Sequence, residues 1–295
     1  MPKSYFFFFI LFTSIFLFVV KTEAQSIKEK KTTTDSDSSD SKRSLTVEMD
    51  AGTSRGYQAR RRTTTPASSQ KYVEPILNYV APSGFFASFA AYKTPGVKRS
   101  WDELDLGLGY DFKISKSADV DGSVGYTHFT YSAAAKQTVN PSSEDLDAYV
   151  KHDFDIIAVK LTGDYYFGGS NNDEDLIADI DHDFYIDKIF SKKDELSIDP
   201  TITIIGGTTN YYLGTLAPPN ATKKQKEAIK AKLNNFQFNS FILNDYEFAL
   251  PVNYEIGKFD MEIAWRYSIP SNLPAIFNAK PFSYVTAYIS YDFLK

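Results

Sequence analysis

The sequence contains no cysteine among its 295 residues. This absence excludes disulfide bonds, thiolate metal sites, a cysteine nucleophile and a lipid-modified N-terminal cysteine. An excess of basic residues is absent too, because the formal net charge is -5 and the pI is near 5.3. We therefore expect no nucleic-acid partner. The mean hydropathy of -0.30 argues against a protein that crosses a membrane with several helices.

One long apolar run is present, and it lies at the N-terminus. Lys3 precedes residues 6–20, which are mostly Phe, Ile, Leu and Val. This run is shorter than the roughly 20 residues that a membrane-spanning helix needs. Thr22 and Ala24 suit the -3 and -1 positions of a cleavage site, so we predict a signal peptide over 1–24. Residues 25–43 are rich in Lys, Thr, Ser and Asp, and we expect a disordered periplasmic tail there.

From Ser44 onward, apolar and polar residues alternate. Over 104–114 one parity is apolar, while the other carries Asp105, Asp111 and Lys113. Such alternation indicates a strand with one apolar face and one face in water. Strands of roughly this length are typical of membrane crossing, which needs about 9–11 residues, whereas soluble strands usually have about 5–6. The abundance of aromatic residues, with 20 Tyr and 24 Phe, also favours an all-β chain.

The pattern predicts about twelve strands, an even number as closed bacterial barrels require. They lie near 44–52, 70–81, 85–93, 102–114, 118–132, 144–154, 156–167, 175–188, 195–206, 240–256, 259–270 and 282–294. Short links near 82–84, 114–118, 155, 191–194 and 257–258 alternate with mostly longer links at 53–69, 94–101, 133–143, 168–174, 207–239 and 271–281. Short turns at one rim and long loops at the other are typical of an outer-membrane barrel. We therefore predict an all-β, closed, antiparallel up-and-down transmembrane barrel over 44–295.

The longest link contains the one predicted helix, over 222–233, with Ala228, Ile229 and Leu233 as a modest apolar stripe. The helix is rich in lysine, which favours a solvated loop helix. The alternative is a plug in the barrel mouth or a contact with anionic lipopolysaccharide.

Several short motifs resemble those of porins and porin-like outer-membrane β-barrel proteins of Gram-negative bacteria. They are Arg55–Gly56–Tyr57, the strand start Gly84–Ser88, the entry Trp101–Leu106 and the C-terminal strand Ala287–Phe293. The resemblance implies location in the outer membrane and recognition of the last strand by the barrel assembly machinery. It implies no catalytic residues. Family members often end on the aromatic residue itself, whereas Leu294 and Lys295 follow it here.

Parity assigns an acidic inner face to the middle of the chain. The candidate lumen-lining carboxylates are Asp119, Asp121, Asp147, Asp153, Asp179, Asp181 and Asp183. Carboxylates along a lumen favour cations, although a hydrated, salt-bridged lumen without selectivity is the alternative. Tyr284, Tyr288 and Arg266 also point inward and are candidates for a constriction. We therefore predict a porin-like channel for small polar solutes or cations, surrounded by outer-membrane lipid and lipopolysaccharide.

No catalytic motif is found, so we predict that the protein is not an enzyme. We expect no cofactor, although 179–183 and the better-placed loop stretch 171–175 contain oxygen ligands that suit Ca²⁺. His128, His152 and His182 lie on the apolar parity, as expected for side chains at a membrane interface. Two alternatives stay open. One is a structural or surface-binding barrel with basic loops, and the other is a barrel enzyme that hydrolyses lipids or peptides with these histidines and the aspartates as its site.

Overall fold

The fold is known from a computed structural model, which describes most of the chain after residue 42. The described residues are 43–54, 70–96, 98, 101–115, 119–133, 142–154, 156–169, 172–187, 189–191, 194–210, 222–233, 236–273 and 280–294. The predicted signal peptide and, apart from Arg43, the predicted tail lie outside these residues.

The described strands form one antiparallel sheet that closes on itself. Its segments are β1 (Ser44–Ser54), β2 (Gln70–Val80), β3 (Phe85–Tyr92), β4 (Glu103–Ser115), β5 (Val120–Tyr131), β6 (Glu144–Asp153), β7 (Ala158–Phe167), β8 (Asp173–Asp181), β9 (Phe184–Asp187), β10 (Asp194–Ile198), β11 (Thr201–Gly207), β12 (Ile242–Ile256), β13 (Phe259–Pro270) and β14 (Phe282–Asp292). The first and last strands pair from Thr46 opposite Asp292 to Gly52 opposite Thr286, which closes the ring.

Two of the barrel strands are interrupted. The long strand β12 pairs first with β11 and then with β10, so β10 and β11 form one barrel strand. The pairing of β11 with β8 and of β10 with β9 joins β8 and β9 in the same way. The barrel therefore has 12 strands, which confirms the predicted closed antiparallel barrel.

The interruption between β10 and β11 lies at Asp199 and Pro200. Proline has no N–H to donate to a neighbouring strand, so it suits a break in the ladder. Asp199 holds the break together, because its N–H bonds to the carbonyl of Pro251 at 3.2 Å and its own carbonyl accepts from Thr201 Oγ1 at 2.9 Å. The prediction of continuous strands over 175–188 and 195–206 was wrong, because the first is interrupted at 182–183 and the second at 199–200.

The outer wall is apolar and the inner wall is polar. On β4, Leu106 and Leu108 face outward and are 54% and 52% exposed. Between them in sequence, Gly107 faces inward beside Ser88. A belt of half-exposed large apolar side chains continues through β1, β5, β12, β13 and β14, for example at Met49 and Trp265. A surface of this kind is stable in a membrane and not in water.

The two rims differ, as the link lengths predicted. Short turns join β2 to β3, β4 to β5, β6 to β7, β9 to β10 and β12 to β13. In the first of these, Gly84 adopts φ 93° and its N–H bonds to the carbonyl of Ala81 at 3.0 Å. We call this end the short-turn rim and the opposite end the long-loop rim. Asp155, the predicted turn residue between β6 and β7, lies outside the described residues.

The longest loop carries the helix α1 (Lys223–Lys232). It begins with a capping box, in which Gln225 N–H bonds to Thr222 Oγ1 at 3.3 Å and Thr222 N–H bonds to Gln225 Oε1 at 2.8 Å. Leu233 then packs on Phe238, and both are buried. Ile229 joins this cluster, so the predicted stripe is only partly used, since Ala228 is exposed. In the described part of the chain, no helix is long and apolar enough to cross a membrane.

Candidate functional site: the barrel lumen

A cavity of about 750 Å³ lies inside the barrel toward the short-turn rim. Its carboxylates are Glu48, Asp111, Asp147, Asp164, Glu255, Asp260 and Asp292. Its two cationic residues are Lys160 and Lys258. Tyr149 and Tyr288 are among the uncharged residues of the lining. Carboxylates therefore outnumber cationic side chains in this lining by seven to two.

A hydrogen bond and a cation–π contact connect neighbouring strands in the wall of this cavity. Tyr288 donates its hydroxyl to Asp260 Oδ2 at 2.8 Å, which ties β14 to β13. Lys160 Nζ lies 4.5 Å from the centre of the Tyr149 ring, a cation–π contact between β7 and β6. Both tyrosine rings are thereby held along the inner wall.

A second polar cluster crosses the inner wall of β12, β13 and β14. Arg266 Nη1 lies 2.9 Å from Glu247 Oε1, and Tyr284 donates its hydroxyl to Glu247 Oε2. Arg266 Nε also reaches Thr286 Oγ1 at 3.4 Å. The carboxylate of Glu247 thus fixes the arginine and the tyrosine together. Of the three predicted constriction residues, Arg266 and Tyr284 belong to this cluster and Tyr288 belongs to the cavity.

Further buried carboxylates lie toward the long-loop rim. Asp245 Oδ2 accepts from Ser268 Oγ at 2.5 Å. Asp173 Oδ1 accepts from Thr208 Oγ1 at 2.7 Å and from the N–H of Asn210 at 2.8 Å. These last bonds attach the start of the longest loop to β8. Glu74, Glu103, Asp145 and Asp175 are also buried inward-facing residues of this wall.

The seven predicted lumen aspartates occupy different levels of the barrel. Asp147 lines the cavity, and it is the only one of the seven, all of them described, that does so. Asp119 and Asp121 lie at the short-turn rim, 3.5 and 3.6 Å from Lys113 Nζ.

The other four aspartates lie on strands β6 and β8 and at the first interruption. Asp153 and Asp181 flank Ala158 on neighbouring strands. Asp179 accepts from Thr203 Oγ1 at 2.6 Å. Asp183 lies between β8 and β9 and accepts from the hydroxyl of Tyr185 at 2.8 Å. The seven side chains therefore form no single ring.

The analysis of the sequence missed Glu247 and most of the cavity carboxylates. Glu48 and Asp260 stand on the polar parity of their strands, so alternation alone could have identified them, as it did Asp111. All three lie outside the runs of aspartate between 145 and 187.

The expectation that 179–183 or 171–175 suits Ca²⁺ stays a prediction. Among the described residues, no group of three or more His, Asp or Glu side chains is arranged to hold a metal ion. Asn171, in the favoured loop stretch, lies outside the described residues. Asp173 from that stretch instead holds Thr208 and Asn210.

The three histidines have outward parity, and two of them, His152 and His182, lie near the short-turn rim. His152 packs edge-on against Phe154, with ring centres 3.9 Å apart. His182 packs in the same way on Phe184 at 4.3 Å, and its Nδ1 bonds to the carbonyl of Ile156. His128 differs, because its Nδ1 lies 3.0 Å from Glu144 Oε1.

Comparison with known proteins gives structural likeness only. No family model matches the sequence, and no curated protein matches it. The chain is similar to the KdgM porin, with 10% identity and a TM-score of 0.48 over 84% of this chain and 99% of the porin. It is also similar to LpxR from Salmonella typhimurium, with 9% identity and a TM-score of 0.46 over 83% and 99% of the two chains.

An outer membrane channel from Pseudomonas putida F1 is 12% identical, with a TM-score of 0.41 over 85% of this chain and 94% of the channel. The structural neighbours thus include outer-membrane porins and channels. Identities of this size relate folds and not activities. The function of this chain has to be inferred from its own side chains.

Proposed function

We propose that this protein is an outer-membrane channel that passes small polar solutes and prefers cations. The observation that carries the proposal is the cavity inside a closed barrel, where carboxylates outnumber the two lysines of the lining. Each wall carboxylate lowers the energy of a passing cation and raises that of an anion. The Tyr149 and Tyr288 rings limit the passage to small solutes.

The outer membrane is the location that suits this barrel. Strands cross that membrane as closed barrels, since every backbone N–H and C=O must be paired within the protein. The apolar belt then faces lipid, the short-turn rim faces the periplasm and the long-loop rim faces outward. In this orientation the long loops and α1 adjoin lipopolysaccharide, and β14 is the strand that the assembly machinery would recognise.

The test is single-channel conductance of the refolded mature protein in a planar bilayer with a KCl gradient across it. We expect stable conductance steps and a reversal potential displaced toward the potassium equilibrium potential. A barrel that is folded and inserted but silent would exclude an open pore. Steps with anion preference would instead exclude the acidic lumen as the selective element.

Three matched variants distinguish an effect of the cavity from an effect of the rim. Asp147→Asn and Asp260→Asn remove charges from the cavity, whereas Asp119→Asn removes one from the exposed rim. The cavity variants should reduce the preference for cations more than the rim variant does. Equal effects at both places would assign the preference to the entrance.

A further inference from the structure

A polar group interrupts the apolar outer wall close to the long-loop rim. Tyr126 and His128 on β5 and Glu144 on β6 share the outward parity, and His128 lies directly opposite Glu144. On the same wall, Leu106 and Leu146 are each 54% exposed. An ionisable group facing lipid is energetically costly and is commonly functional.

The Glu144 carboxylate holds this group together. His128 Nδ1 lies 3.0 Å from Oε1 and 3.1 Å from Oε2. Tyr126 donates its hydroxyl to Oε2, and Ser143 Oγ donates to Oε1 at 3.2 Å. Glu144 is thereby fixed by the residue that precedes it and by two residues of the neighbouring strand.

This arrangement sets the tautomer of His128. A carboxylate at Nδ1 favours the imidazole with its proton on that nitrogen, which leaves the lone pair on Nε2. The His128 side chain is 44% exposed, whereas that of Glu144 is 19% exposed. A half-exposed imidazole oriented by a more buried carboxylate is the arrangement of a general base with its orienting acid. Neither His152 nor His182 has a carboxylate in this position in the described part of the chain.

We infer that His128 and Glu144 hydrolyse an acyl ester of a membrane lipid. Nε2 of His128 takes a proton from a water molecule while the water oxygen attacks the ester carbonyl carbon. The bond from that carbon to the alcohol oxygen then breaks, and Nε2 returns the proton to the leaving oxygen. The products are a carboxylic acid and an alcohol, and Glu144 stabilises the imidazolium between the two proton transfers.

The surroundings of the pair select a lipid as the substrate. His128 pairs across the sheet with Leu106, and Tyr126 pairs with Leu146. An acyl chain along these two leucines places its ester beside His128, where the apolar belt gives way to polar side chains. The site faces away from the lumen, so this inference stands independently of the proposed channel.

The experiment uses the refolded mature protein in mixed micelles with a diacyl phosphatidylethanolamine, and separately with lipopolysaccharide. Released carboxylic acid is measured by mass spectrometry. We expect release of acid from at least one of the two lipids. The lipid that is hydrolysed shows whether the substrate is a phospholipid or lipopolysaccharide. His128→Asn and Glu144→Gln should each reduce the rate by about 10²- to 10⁴-fold, as expected for loss of a general base or of the group that orients it.

His152→Asn is the matched control, because it makes the same change to another outer-wall histidine that packs on Phe154 instead of a carboxylate. It should leave the rate unchanged. Resistance of the folded barrel to SDS shows that the two site variants fold. The inference is overturned if the wild-type protein releases no acid from either lipid, or if His128→Asn releases it at the wild-type rate.

Discussion

Arg266 and Glu247 form an ion pair on the inner wall of the barrel, with Nη1 and Oε1 2.9 Å apart. Their side chains are only 22% and 7% exposed, so neither charge is fully hydrated. Removing one partner of a buried pair leaves the other charge uncompensated, whereas removing both does not. The pair also positions Tyr284, since that hydroxyl binds the second oxygen of Glu247.

Arg266→Met should lower the free energy of unfolding by about 3–5 kcal/mol, because Glu247 stays buried without its cation. The double variant Arg266→Met with Glu247→Met should recover most of that loss, since no charge is left to compensate. Urea unfolding in detergent, followed by tryptophan fluorescence, measures both. A double variant as unstable as the single one would show that the pair is not the source of the loss.

Each charged side chain of the cavity should contribute separately to the preference for cations or anions. Asp147→Asn together with Asp260→Asn should reduce the cation-to-anion permeability ratio by about two- to fivefold, which corresponds to roughly 0.5–1 kcal/mol of screened interaction. Reversal potentials in a salt gradient give the ratio. Lys160→Met should shift it in the opposite direction, because it removes a cation from the same lining. A shift of the same sign for both changes would contradict a direct electrostatic effect.

The loop that carries α1 should depend on its small apolar cluster. Leu233→Ala removes a buried side chain that contacts Phe238, at a local cost of about 2 kcal/mol or more. We expect faster proteolysis of this loop while the barrel keeps its resistance to SDS. Lys224→Ala, on the exposed side of the helix, is the control and should change neither property.

Gly84→Ala should destabilise the barrel more than Gly96→Ala. Both glycines have positive φ, 93° and 84°, so both variants incur a backbone cost of about 1–2 kcal/mol. A Cβ at Gly84 would also collide with the carbonyl of Asp111, whereas the space around Gly96 is open. Urea midpoints of the two variants measure the difference, and equal midpoints would show that the turn moves to admit the methyl group.

The alternation of residues predicted the fold closely because a barrel wall has an apolar outside and a polar inside along every strand. Strand β13 was predicted at 259–270 and is found at Phe259–Pro270. The breaks at 182–183 and 199–200 were not predicted, although Pro200 is a residue that central strands avoid. The alternation continues through both breaks, so periodicity alone does not reveal them.

The contacts of a side chain with neighbouring strands were harder to predict than the face of the sheet on which it lies. Parity places Arg266 and Tyr284 inside, but their contact with Glu247 depends on the register of three strands. Register follows from the pairing of whole strands and is not contained in the spacing of a single one. For the same reason, the spacing of residues within β5 does not show that His128 lies opposite Glu144.

The pairing of β1 with β14 has a consequence for the synthesis and assembly of the barrel. Thr46 and Asp292 stand at opposite ends of the described chain, yet they are neighbours in the wall. The ring therefore cannot close while the chain is still being made, and contacts between such distant residues form slowly. Until then, β1 and the last completed strand both present unpaired edges that invite association with other chains. Protection of these two edges before insertion is thus a requirement that the topology itself imposes on the cell.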